Sequence, residues 1–146
     1  MRNSDPHYHG YMYDKMYSLA FKLNEHPSPN YIKQYINNRL SSWVTDLNFM
    51  CRVCLDVTVP VGFYTLFYPS FEPSTGEHRF FIEEFHSDDV RASWHMWNDL
   101  QKIVKHHESL NKKIYGFIQS NNKAMIELYE SLGFTQEKIQ IVKEIN

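Results

Sequence analysis

Hydrophobic positions change their period several times along the chain. Over residues 14–24, Met16, Leu19, Ala20 and Leu23 recur at helical spacing, and Pro27 and Pro29 then interrupt the pattern. Ser28 predicts an N-cap with Pro29 at the first helical position, and the second helix so opened has Tyr31, Ile32, Tyr35, Ile36 and Leu40 as its inward stripe. Over 49–59 the period falls to two, with Phe49, Cys51, Val53, Leu55, Val57 and Val59 on one face of a strand. Pro60 turns the chain, 61–68 pairs back antiparallel, 69–77 with Pro73 and Gly76 is a loop, and 78–85 is a third strand. Ser87 or Asp88 can cap a long helix through 107 whose inward residues are Val90, Trp94, Trp97, Leu100, Ile103 and Val104. Residues 113–119 read as a strand and 121–132 as a helix stopped by Gly133. The tail 136–145, with Ile139, Ile141, Val142 and Ile145, reads as a final antiparallel strand. The order helix, helix, three strands, helix, strand, helix, strand predicts a mixed α/β fold. Residues 1–13 form either a short first strand or an ordered arm.

At 146 residues, 42% hydrophobic and 16% aromatic, the chain suits one domain over 1–146 with one packed interior. A formal charge of −2 and a pI of about 6.4 argue against a nucleic-acid-binding role, which needs a basic excess or stripe. No apolar run approaches the roughly 18–20 residues of a membrane span, and the first residues lack an apolar signal segment. A soluble, cytoplasmic protein is expected. Cys51 and Cys54 are too few for a disulfide framework, and their spacing on a strand sends them to opposite faces. His7 with His9, and His106 with His107, lack further ligands at convincing spacing, so no metal site is expected. Trp94 and Trp97 read as core. Tyr8, Tyr11, Tyr13 and Tyr17 read as packing on the chain's own sheet rather than as a protein-binding arm.

In the run 114–134, Asn122, Ala124, Leu128, Tyr129, Glu130, Gly133 and Phe134 stand at the offsets of a family pattern: a strand, then Asn, Ala and Leu-Tyr-Glu-x-x-Gly-Phe on the next helix. This segment resembles the GNAT family of N-acetyltransferases. Val61-Gly62-Phe63 and Ile82-Glu83-Glu84-Phe85 resemble the family's strand entering the cofactor half and its fourth strand. The resemblance implies a single GNAT domain in which strands 80–85 and 114–119 splay apart around acyl-CoA. The pyrophosphate would sit at the helix start near 89–93, where unpaired N–H groups favour an anion. It further implies acetyl transfer from acetyl-CoA to a primary amine of a small molecule or protein. Tyr129 would be the acid for the departing thiolate. Glu83 or Glu84 would be the base; as neighbours on a strand they are expected on opposite faces, so that one at most enters a given cleft. Cofactor contacts would come from Asn122, Phe85, Arg91, Ala92, Ser93 and Ala124.

The family's phosphate loop reads Arg/Gln-x-x-Gly-x-Gly/Ala, whereas residues 86–97 contain no glycine. Asp88 and Asp89 would repel an anion there, with Arg91 offsetting part of the effect. A looser resemblance to small GNAT-like phage proteins supplies the alternative: a catalytically inactive binding or structural component, such as an internal virion protein or a host-directed factor. In that case the compartment is the virion or the host cytoplasm. Either reading allows a homodimer or a larger protein assembly.

Overall fold

Alternating burial sets the framework of a five-stranded sheet in the order β1-β2-β3-β4-β5, covered by helices on both faces. The computed structural model describes residues 1–107, 112–118, 121–136, 143 and 145, with the side chains of 68–70 excepted. The chain starts with β1 (Arg2–Asn3), a short strand against β2 (Phe49–Asp56), which is the first of the two alternatives left open for 1–13. A turn capped by Asp5 leads into α1 (His9–Leu23), which begins earlier than the spacing from residue 14 suggests.

In α2 (Pro29–Thr45), Pro29 opens the helix after Ser28 as expected, although the Ser28 side chain makes no capping bond. Its buried stripe is Ile32, Ile36, Leu40 and Trp43. Tyr31 and Tyr35 are not inward: they are 71% and 43% exposed, because a stripe centred on 32, 36 and 40 leaves their positions on the flank.

The hairpin joining β2 to β3 (Val59–Glu72) closes at Asp56↔Val59 over Val57 and Thr58. The turn therefore precedes Pro60, which lies inside β3 opposite Leu55, next to a register shift that tolerates it. Val57 carries φ +58, a left-handed conformation that a β-branched side chain resists. β4 (Glu77–Ser87) pairs antiparallel with β3, and β5 (Lys112–Gly116) pairs parallel with β4 after the crossover helix α3 (Val90–His106). α4 (Lys123–Ser131) follows. The tail strand expected at 136–145, and the last residue of the strand expected at 113–119, fall outside the described residues.

Met12, Met16, Ile32, Ile36, Val53 and Phe63 form the core beneath α1 and α2. Tyr64, Leu66, Phe80, Ile82 and Phe85 face α3 and α4. Tyr8 and the partly buried Tyr11, Tyr13 and Tyr17 pack on the first of these cores. Asp89 caps α3, one residue later than expected, so Ala92, Ser93, Met96, Trp97, Leu100 and Val104 face the sheet. Val90 and Trp94, expected inward, are 71% and 46% exposed, because the small residues Ala92 and Ser93 take the positions against the strands. A bidentate pair from Arg52 of β2 to Asp99 of α3, with the Tyr64 hydroxyl donating to the same carboxylate at 2.7 Å, fastens α3 to the sheet. Cys51 and Cys54 lie in the two different cores, on opposite faces as the strand period requires.

Candidate functional site

β4 and β5 pair from His78↔Lys112 to Ile82↔Gly116, and there the ladder ends while β4 runs on to Ser87. The two strands fork. Residues on β4 beyond Ile82, together with Phe117, Ile118 and Asn122, line a cavity of about 180 Å³ whose outer wall is Met16, Leu19 and Leu23 of α1. The parting expected between 80–85 and 114–119 thus begins at its midpoint, since 80–82 and 114–116 remain paired.

A bulge governs the chemistry of the fork. Thr65 pairs with Glu84 but Leu66 with Ile82, leaving Glu83 as the extra residue of β4. The side-chain alternation slips by one, and both glutamates line the cavity instead of facing opposite ways. This overturns the expectation drawn from regular strand geometry. Their partners differ. The Glu83 carboxylate pairs with Arg39 of α2, which is itself held by the Tyr35 hydroxyl at 2.8 Å. The Glu84 carboxylate accepts from His86 Nε2 at 2.6 Å, and the Glu84 N–H donates to Thr65 Oγ1 at 3.0 Å. His86 is buried and stacks on Phe63 with ring centroids 4.8 Å apart. The result is an acid–imidazole pair fixed by the strand below it.

Tyr129 reaches the fork from α4. Asn122 caps that helix, its side chain accepting from the Met125 N–H at 3.3 Å. At the other end Gly133, at φ +93, lets its N–H reach Glu130 O at 3.0 Å and the Phe134 N–H reach Tyr129 O at 3.0 Å. This termination brings the Phe134 ring onto Tyr129, with centroids 5.0 Å apart, while Phe85 meets the Tyr129 ring edge-on. The Tyr129 ring also lies over Gly116, where a Cβ would stand 2.8 Å from its Cε2. Only a glycine lets the ring rest at the point where the strands part. Burial, and secondarily the charge of Glu84, push the Tyr129 phenol well above its ordinary pKa. It therefore keeps its proton through the neutral range.

The expected cofactor contacts divide into two groups. Phe85 and Asn122 line the fork with Tyr129, Glu83 and Glu84. Ala92 and Ser93 are buried under the sheet, and Arg91 and Ala124 are exposed and outside the cavity lining. At the start of α3 the Asp89 carboxylate accepts the Ala92 N–H at 2.7 Å, and Asp88 pairs with Lys15. The open fork suits an extended, amide-bearing arm, because among the described residues β4 beyond Ile82 has no β5 partner. The α3 turn is poorly suited to a diphosphate, because the Asp89 carboxylate already takes one of its amides and adds a negative charge there.

Sequence reasoning missed His86 and Arg39. His86 had a signal, two residues from Glu84 on one strand. Arg39 is 44 positions from Glu83 and had none.

No protein-family model and no curated protein matches the sequence. Solved structures do match. The PaiA N-acetyltransferase of Thermoplasma acidophilum, solved with coenzyme A, aligns at TM-score 0.70 and 14% identity over 95% of this chain and 91% of that one. The chain has the GNAT acetyltransferase fold. The ribosomal-protein-alanine N-acetyltransferase of Brucella melitensis aligns at TM-score 0.62 and 12% identity, over 95% of this chain and 94% of that one. A transcriptional regulator from Bacillus halodurans C-125 aligns at TM-score 0.71 and 15% identity, over 99% and 97%. The GNAT fold is therefore shared by proteins described as enzymes and as a regulator, and the site has to argue the activity.

Proposed function

We propose that the chain is a GNAT-type N-acyltransferase that moves an acetyl group from an acetyl thioester, acetyl-CoA being the donor the fold implies, to a primary amine of a small molecule or protein. One observation carries this reading: the fork between β4 and β5 gathers a carboxylate–imidazole pair and a protonated phenol around one cavity. A binding surface has no need of that combination.

The thioester supplies an activated acyl group. Glu84 and His86 take up the proton of the incoming ammonium, the carboxylate stabilising the imidazolium that forms. Glu83 and Arg39 hold one another and fix the wall beside that pair. Tyr129 keeps its proton and presents it at the fork, where a departing sulfur needs a donor. Met16, Leu19 and Leu23 give the same space an apolar wall.

The alternative, a catalytically silent binding or structural protein, is favoured by one observation, the hold of Asp89 on the first turn of α3. The two readings part in one assay. Purified protein is incubated with acetyl-CoA at millimolar concentration and a panel of polyamines, aminoglycosides and lysine-bearing peptides, and acetylated products are sought by mass spectrometry. Turnover of at least one amine supports transfer. No acetylated product from any of them removes the enzymatic reading.

A further inference from the structure

The first turn of a helix attracts anions through N–H groups that have no partner inside the helix. In α3 that turn already holds one. The Asp89 carboxylate accepts from the Ala92 N–H at 2.7 Å, and the Ser93 N–H is taken by Asp89 O at 3.1 Å. A carboxylate so placed does what a phosphate oxygen would do in the same position.

The surrounding charges do not compensate. Asp88 is anchored through its N–H to Val61 O at 2.8 Å, and its carboxylate is matched by Lys15. The same carboxylate faces Tyr11, whose phenol is pushed up first by burial and then by the charge of Asp88. Arg91, exposed on the turn, is matched in number by Asp89. Asp88 and Asp89 therefore offset Lys15 and Arg91 in number, and a doubly charged group arriving there gains no net attraction from these four side chains. The fork, by contrast, holds charged groups that are already paired, Glu83 with Arg39 and Glu84 with His86, beside apolar side chains and strand backbone, and none of them is a free cation for a diphosphate.

Resting on the acyl-transfer reading, we infer that this chain selects its donor by the acyl group and the pantetheine arm and not by the nucleotide diphosphate, with Asp89 as the residue that sets this preference. The donor class is an acyl thioester of pantetheine, for which the nucleotide half of coenzyme A adds nothing.

The test compares acetyl-CoA with acetyl-pantetheine, which carries no phosphate, by thermal shift and by steady-state transfer to one amine. The two donors are expected to raise the melting point alike and to agree in kcat/KM within about threefold. Asp89→Ser keeps a capping oxygen and removes the charge, so it is expected to tighten acetyl-CoA by about tenfold while leaving acetyl-pantetheine unchanged. A wild-type preference for acetyl-CoA above about tenfold overturns the inference and leaves the acyl-transfer reading standing. An Asp89→Ser variant that folds normally and binds both donors as the wild type does overturns it too. If neither donor shifts the melting point or is turned over, the inference and the reading beneath it fall together.

Discussion

Replacing Gly116 by alanine strikes the joint on which the candidate site depends. The new Cβ would stand 2.8 Å from Tyr129 Cε2 and 3.4 Å from Cδ2. Carbon atoms settle at about 3.5–4.0 Å, so ring or strand must yield by about 0.7–1.2 Å. The ring has nowhere cheap to go: it is 6% exposed, stacked on Phe134 and met by Phe85. Overpacking of this kind costs about 1–3 kcal/mol, or a melting point lower by about 3–10 °C for a chain of this size. Displacing the phenol by such a distance should also slow acetyl transfer by up to about a hundredfold. Urea unfolding followed by circular dichroism measures the first effect. Gly10→Ala is the control, since a Cβ there meets nothing within 4 Å and Gly10 lies within α1. That change should stabilise by about 0.5–1 kcal/mol. Equal stability of Gly116→Ala and wild type would refute the close contact of ring and strand.

Three further outcomes follow from particular residues. Val57 sits at φ +58 and is 90% exposed, so Val57→Asn or Val57→Gly should stabilise the chain by about 1 kcal/mol in the same unfolding experiment. At Asp99, burial alone would raise the carboxyl pKa, but the hydrogen bonds from Arg52 and Tyr64 outweigh it and hold it below the ordinary value. The stability it contributes is present above about pH 4 and is lost as pH falls through the depressed value, so the gap between wild type and Asp99→Asn should narrow from about pH 6 to pH 3. Burial pushes the Cys51 thiol up to about 12, so native protein at about pH 8 should resist alkylation at Cys51, read by peptide mass mapping, while urea-unfolded protein reacts.

Local pattern announced the scaffold well and the site unevenly. Asn122, Gly133 and Phe134 stood out in the sequence because they begin and end α4, and a helix terminus is written in a few adjacent residues. Tyr129 came only from the resemblance to the family pattern Leu-Tyr-Glu-x-x-Gly-Phe, since helix spacing by itself marks it as no more than a packing residue. The shared face of Glu83 and Glu84 was not legible, because one bulge shifts the alternation and nothing in the residues 82–85 marks it. Tyr31, Tyr35, Val90 and Trp94 were read inward because apolar character says which residues can be buried, whereas the helix phase chosen by Trp43, Ala92 and Ser93 decides which are. The turn at Val57 was hidden by the pull of Pro60, which a register shift accommodates inside β3.

The most direct test of the account is the hydroxyl of Tyr129. Tyr129→Phe keeps the ring against Phe85, Phe134 and Gly116 and removes only the donor. Acetyl transfer by this variant, at saturating donor and with an unchanged melting point, is predicted to fall by about a hundredfold or more. A variant that folds as the wild type and transfers at the wild-type rate would contradict the claim that this phenol supplies the proton at the fork.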